Sequence, residues 1–392
     1  MENVWFSAAL WLGLALVATL LSIWLRFSVA LTEIVVGVVA QLVIGALIGP
    51  QFLGTDQAWI SFLAGVGSIV LTFLAGAELD PQAFRKSWKE ATVLGLAGFF
   101  APFLGVAAIA YFALGWSAQP AWLAGVALST TSVAVVYAVL LELGLNQTPY
   151  GKLILAACFV NDLATVIALG VLFAPFGPRT LLFVVGLVLG LWALFKTTGP
   201  FFRHYGGRTS ELEAKFLLFA LFLLGGLAVW SGSEAVLPAY LIGMVLAGTV
   251  GRDHALVRRL RTLTFGFLTP FYFIRAGSLV QVPALISGFA VFLVLLGAKM
   301  LTKFAGVFPV TRLYRYPRGE SMYTTLLMST GLTFGTISAL YGLSHGIITP
   351  AQYSLLVAAV IASAVVPTWI ANQFFLPRQH LERTTQPIAA EA

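Results

Sequence analysis

Thirteen apolar runs follow one another along the 392-residue chain, and this constrains the fold more than any other feature. A helix needs about 20 apolar residues to cross a hydrocarbon core roughly 30 Å thick. The runs lie near 4–25, 31–48, 59–79, 91–114, 122–143, 153–173, 180–196, 214–231, 235–250, 262–281, 284–311, 319–342 and 351–375. The ninth is short and the eleventh long, so each is a candidate for tilt or interruption. Composition agrees: 59% of residues are apolar and only 9% charged, against about 25% charged in soluble domains, so a water-exposed surface cannot be built. The 38 Gly and 17 Pro suit a helical bundle in lipid, where neighbouring helices satisfy backbone groups freed at breaks. Soluble enzymes, DNA-binding modules and disordered scaffolds are excluded. The fold class is an all-α polytopic membrane protein of about 13 transmembrane helices.

The basic residues test that count. Arg26; Arg85, Lys86 and Lys89; Lys152; Lys196, Arg203, Arg208 and Lys215; Arg252, Arg258, Arg259 and Arg261; Arg312, Arg315 and Arg318; and Arg378 and Arg383 all fall in or beside the odd-numbered connections or the tail. They are 18 of the 22 Lys and Arg, and the even-numbered connections hold Arg179 alone. By the positive-inside rule the amino terminus is outside and the carboxyl terminus cytoplasmic, in a cell (inner) membrane. This asymmetry explains the net charge of +7 without a nucleic-acid partner. The first run lacks a preceding basic region and a following A-x-A site, so a retained helix is expected rather than a cleaved signal. Residues 1–376 then form a single transmembrane unit, with 377–392 a short cytoplasmic tail.

Remaining polar residues narrow the chemistry. One cysteine, Cys158, gives no intramolecular disulfide and no thiolate cluster. The histidines, His204, His254, His345 and His380, fall in loops or the tail, which argues against membrane haem ligation; no cofactor is expected. Arg275, Lys299 and Lys303 fall inside spans. An ionisable group within a membrane span is costly and marks function by default. Asp162 lies nine residues into the sixth span and Lys303 nine residues from the end of the eleventh, each about 13 Å from the cytoplasmic face at 1.5 Å per residue. Depth makes Lys303 the first-choice partner of Asp162 and Lys299, one turn outward, the second.

Two polar interruptions reach the same depth. Leu128-Ser129-Thr130-Thr131-Ser132 breaks the fifth span, and Met328-Ser329-Thr330-Gly331 breaks the twelfth, followed by Thr333 and Gly335. Hydroxyls and glycines weaken a helix and free backbone groups to face a cavity; such clusters also serve as close-packing surfaces. The two segments are seven spans apart, so they cross in opposite directions, and matching weak points in opposed helices point to a transporter site between inverted repeats. Glu33 and Glu78 lie near cytoplasmic span ends. Interfacial snorkelling or capping is favoured for Glu33, while Glu78 divides evenly between that role and an acidic mouth. Arg275 is expected to pair structurally or reach the interface.

Several segments resemble a known family. GALIGPQFLG at Gly45–Gly54 resembles the G-x-x-x-GP-x-x-LG end of the second helix in the monovalent cation:proton antiporter superfamily, particularly its Kef-like second branch. LTFLAGAELD at Leu71–Asp80 looks like its LxFLxGxELD, and Leu128–Ser132 through Glu142–Gly144 like its TS-to-ExG stretch. PFYFIRAG at Pro270–Gly277 is similar to PxFFxxxG, and Lys303–Gly306 to the lysine helix. The ordered set spans nearly the whole chain.

The resemblance implies inverted repeats with two crossing discontinuous helices, a homodimer, and dimerisation and core subdomains interleaved in sequence, the core including 59–173 and 262–375. It makes Asp162 the ion-binding aspartate, with Asn161, Thr131 and Ser132 beside it. Lys303, Glu78, Lys299 and Arg275 are the supporting charges, and Ser329, Thr330 and Gly331 form the second broken helix. Two departures stand out: Asn161 where many electrogenic members carry a second aspartate, and Arg275 where PxFFxxxG has a small or apolar residue. The Asn-Asp pair is more typical of electroneutral exchange. No cytoplasmic nucleotide-binding domain of the Kef type is found in the sequence.

The expected function is exchange of Na⁺ or K⁺ for H⁺ at Asp162, with hydroxyl and carbonyl oxygens completing an alkali-cation site. Burial and the Lys303 charge act on the carboxyl in opposite senses. The nearest rival is a sodium-coupled organic-anion symporter, to which only Arg275 points. A channel lacks a filter-like re-entrant loop. An intramembrane aspartyl protease needs two aspartates within spans, whereas Asp56, Asp80 and Asp253 sit at ends or in loops.

Overall fold

The structure is a computed structural model describing residues 4–25, 28–49, 51–77, 81–146, 148–173, 177–207, 210–233, 235–251 and 253–377. Glu78 and the tail beyond Pro377 lie outside the described residues. Among those described there is no strand. The first three helices are α1 (Val4–Leu25), α2 (Val29–Leu47) and α3 (Ala58–Ala77), followed by α4 (Pro81–Ala108), which runs into a π-helical turn at Ile109–Ala113. Next come α5 (Ala118–Ser129), α6 (Val133–Glu142), α7 (Pro149–Phe173), α8 (Pro178–Tyr205), α9 (Leu212–Trp230) and α10 (Val236–Leu246). α11 (His254–Leu263) continues through a second π turn, Thr264–Leu268, into α12 (Thr269–Ser278). The last are α13 (Val282–Ser287), α14 (Phe289–Leu313), α15 (Arg318–Met328), α16 (Thr333–Ser344) and α17 (Pro350–Phe374).

Eleven helical segments among the described residues are long and apolar enough to cross a membrane, taking α5 with α6 and α15 with α16 as single crossings. The short ninth run corresponds to α10 and the tenth to the end of α11, the second π turn and α12, so the eleven are roughly consistent with the expected thirteen. Caps set several starts: Ser28 Oγ accepts from Leu31 N at 3.4 Å before α2, and Asp253 Oδ1 accepts from Ala255 N and Leu256 N before α11. Thr349 and Gln352 form a reciprocal capping box on α17, with Pro350 in its first turn. Gly288 separates α13 from α14, which accounts for the unusually long eleventh run.

The helices form two compact units, Met1–Pro81 with Val166–Val280, and Gln82–Thr165 with Gln281–Ala392. α3 and α12 pack in the first unit, although the resemblance groups them with the ion-binding spans. In that unit Gly37 on α2 faces the Ile274 carbonyl of α12, and Gly277 on α12 faces the Ile34 carbonyl of α2. A Cβ at either glycine would run into backbone. The same reciprocal approach joins α3 and α10, where Gly76 meets the Tyr240 carbonyl and Gly243 that of Phe73. Small residues let membrane helices approach this closely and gain backbone-to-backbone packing. Around α3, α8, α9 and α10 the buried core includes Phe73, Phe183, Leu187, Leu217, Leu224 and Ile242.

The second unit is built twice. α5 begins at Ala118 and α15 at Arg318, α6 at Val133 and α16 at Thr333, α7 at Pro149 and α17 at Pro350. The helical runs that precede α5 and α15 end at Ala113 and Leu313. A shift of about 200 therefore superposes the element order of one half on the other, and the two broken helices, fifth and twelfth in order, are an odd number of passes apart, which inverts their direction.

Candidate functional site

The functional side chains of the second unit converge on its two helix breaks. Thr130 adopts extended backbone (φ −63°, ψ 152°) after α5, and Ser132 caps α6, its Oγ accepting from Val135 N at 3.4 Å. In the second break Leu332 leaves helical geometry ahead of α16. Hydroxyls cover the carbonyls a broken helix strands: Ser129 Oγ donates to Val126 O, Thr130 Oγ1 to Ala127 O, Ser329 Oγ to Thr325 O and Thr330 Oγ1 to Leu327 O. The breaks then bind each other directly. Ser132 N donates to Thr330 O at 3.1 Å, and Thr131 Oγ1 donates to Met328 O at 2.8 Å. Gly335 permits the crossing, since a Cβ there would stand 2.9 Å from Ala127 O and 3.1 Å from Thr130 Oγ1.

Asp162 on α7 is 1% exposed, and its Oδ1 has no hydrogen-bond partner among the described residues. The preceding Asn161 is fully committed through its amide, with Nδ2 donating to Ser129 O at 3.3 Å and to Gly95 O at 3.5 Å. It ties α7 to the C-terminal end of α5 and to α4, while its Oδ1 remains unpartnered. Among the described residues these two buried oxygens accept no hydrogen bond, which leaves acceptor capacity for a cation or proton. Lys303 and Lys299 on α14 are both fully buried. Lys303 acts electrostatically on Asp162, but no ion pair joins them among the described residues. Its Nζ donates instead to Thr131 Oγ1 at 2.8 Å. Lys299 Nζ lies 3.4 Å from Thr130 O. Direct Asp162–Lys303 pairing, expected from depth, is not seen among the described residues; Lys303 is bonded to the first break instead.

Thr131, Ser132, Asn161, Asp162, Lys299, Lys303, Ser329, Thr330 and Gly331 thus all belong to one compact unit. Arg275 belongs to the other, where its Nε donates to Thr55 O at 3.0 Å and its position is structural. Glu33 overturns the snorkelling expectation: it is 1% exposed, its Oε1 is unpartnered, and Ser28 provides the cap of its helix. Sequence reasoning missed Ser363 on α17, whose Oγ approaches Gly331 O at 3.5 Å and donates to Val360 O at 2.8 Å. The repeat shift, applied to Asp162, points to it. Met328, named only as the start of the second break, takes a part the sequence does not show: its Sδ accepts from Cys158 Sγ at 3.6 Å and its carbonyl accepts from Thr131 Oγ1.

Two crossing broken helices around a buried carboxylate, within an inverted repeat, define a secondary-transporter fold. The chain belongs to the sodium/hydrogen exchanger, transmembrane, family, whose model matches residues 12–374. It is similar to the Na(+)/H(+) antiporter NhaS4 of Synechocystis sp., 26% identical over 380 residues, with 88% of this chain and 92% of the relative covered. It is also similar to the probable Na(+)/H(+) antiporter 3 of Methanocaldococcus jannaschii, 25% identical over 349 residues, covering 86% and 90%. Its fold resembles that of the sodium proton antiporter MjNhaP1 from the same archaeon, with a TM-score of 0.72 at 15% identity over 93% of this chain and 95% of that one.

Proposed function

We propose that the chain is a secondary active antiporter exchanging a monovalent cation, Na⁺ or K⁺, for protons, with both substrates competing for Asp162. The observation carrying this is the Asp162 carboxylate, 1% exposed and with an oxygen that no group among the described residues binds. A bare charge at that depth is costly, and either a proton or a cation removes it. Membership of the exchanger family and the names of the two relatives support sodium and protons as the substrates. The cation takes a carboxylate oxygen of Asp162, supplemented by hydroxyl and carbonyl oxygens of the first break around Thr131 and Ser132; hard oxygen donors suit an alkali ion. Lys303, held on Thr131, supplies a fixed positive charge near the carboxylate when the site is empty. Asn161 fixes the approach of α7 to the break. Alternating access exposes Asp162 to each side in turn, and neutralised states interconvert more readily than the charged one.

The basic-residue asymmetry supports an outside amino terminus and a cytoplasmic carboxyl terminus in the cell membrane. The protein functions as a homodimer on this account. The organic-anion symporter loses support because Arg275 Nε is already bonded to Thr55 O. Proteoliposomes loaded with a pH-sensitive dye and pulsed with Na⁺, Li⁺ or K⁺ test the assignment: cation-driven proton release supports antiport, and its absence with all three rejects it.

A further inference from the structure

Two ammonium groups are buried in a unit whose exchange chemistry uses one. Lys303 is accounted for by Thr131 and Asp162, whereas Lys299, one turn away on α14, is not. Its Nζ reaches Thr130 O at 3.4 Å and occupies the space left by Gly331. A Cβ on that glycine would collide with Nζ while standing 3.0 Å from Thr130 Oγ1 and 3.3 Å from Ser363 Oγ. The ammonium therefore lies beside Thr130 O in the space at Gly331 that Thr130 Oγ1 and Ser363 Oγ also border, and hydroxyl and carbonyl oxygens of this kind coordinate alkali ions.

The internal repeat gives this position a meaning. The shift between α5 and α15 carries Thr130 onto Thr330 and Thr131 onto Gly331, and the shift between α7 and α17, Pro149 to Pro350, carries Asp162 onto Ser363. Thr130, Gly331 and Ser363 around Lys299 are thus the image of Thr330, Thr131 and Asp162. Across the repeat the carboxylate has become a hydroxyl, and the neighbouring space is filled by a side-chain cation. On α4 the counterparts of Lys299 and Lys303 are Phe99 and Phe103, so the ammonium groups come from one half alone.

We propose that Lys299 is a tethered cation occupying the second, symmetry-related ion position, so that the crossing accepts a single free cation. This rests on the antiport reading of Asp162. Lys299 acts as a positioning residue: it satisfies oxygens at the breaks and repels a second cation without meeting the transported one directly. Its removal has a consequence that a packing role does not, because it changes how many ions the protein holds.

Equilibrium binding of radioactive sodium to the purified full chain at alkaline pH tests this. Native protein is expected to bind one sodium per chain and Asp162→Asn none; if native protein binds none, the antiport reading falls and the proposal with it. Lys299→Ser opens the second position, so two sodium ions per chain are expected, and the double variant Asp162→Asn, Lys299→Ser keeps one. If Lys299→Ser still binds one and the double variant none, the tethered-cation role is overturned while Asp162 stands. Should the serine variant fail to fold, Lys299→Met keeps the apolar stem without the charge. Its sodium affinity at Asp162 should tighten about tenfold through lost repulsion, and an unchanged affinity overturns the proposal.

Discussion

Lys303 and Asp162 act on the same buried site without pairing: the ammonium donates to Thr131 Oγ1 at 2.8 Å, while Asp162 Oδ1 has no hydrogen-bond partner among the described residues. The positive charge is parked on the broken helix and the negative charge left open to a substrate. A direct ion pair would have to be broken at every binding event; this arrangement spares the carboxylate that competition.

Thr131 is consequently the residue on which the parked charge depends. Thr131→Val strands the ammonium and removes the bond to Met328 O, at a cost of roughly 1–3 kcal/mol, whereas Thr131→Ser keeps both. Melting in detergent should fall for valine and hold for serine. Cation-driven exchange should fall with it, since a freed Lys303 competes for Asp162.

The two neighbours on α7 should respond oppositely. Asn161→Ala loses the bonds to Ser129 O and Gly95 O and should destabilise the protein by about 1–2 kcal/mol. Asp162→Asn removes a buried charge that no hydrogen bond to Oδ1 supports and should leave the melting temperature unchanged or raised. The ranking reverses if Asp162 is a structural residue instead.

Close helix approach in the first unit predicts a steep size limit. Gly37→Leu and Gly243→Leu each drive a side chain into the facing carbonyl, of Ile274 and Phe73 respectively, and should cost at least about 1–3 kcal/mol through overpacking. Gly13→Leu on α1, where a Cβ meets nothing, should be neutral by the same melting measurement.

At the end of α14, Tyr316 donates to Glu90 Oε1 at 2.6 Å. Burial and the adjacent carboxylate push its hydroxyl well above the ordinary value of 10.0. The protonated form is favoured in the folded state, so its stabilising contribution is complete below pH about 10 and lost as pH rises above it. Native protein should lose melting temperature above pH 10 more steeply than Tyr316→Phe, and the two should run parallel between pH 6 and 9.

Much of this was legible in the chain. Apolar runs and loop arginines gave the passes because lipid imposes length and charge rules on sequence, and the Ser-Thr-Thr-Ser and Ser-Thr-Gly stretches marked both breaks for the same reason. Depth arithmetic brings Asp162 and Lys303 to one level, with Lys299 a turn farther out, but depth has no azimuth: it cannot show that Lys303 bonds Thr131 rather than Asp162, or that Lys299 turns toward Gly331. Glu33 was misjudged because nearness to a span end says nothing about which face of α2 it occupies. Ser363 escaped because a serine in an apolar helix carries no signal until the repeat aligns it with Asp162.

The central claim is that Asp162 alone carries the exchanged ions, and dye-loaded proteoliposomes given sodium or potassium pulses test it most directly. Native protein should move protons in response and Asp162→Asn, melting like the native chain, should not; proton movement at the native rate in that variant would contradict the account.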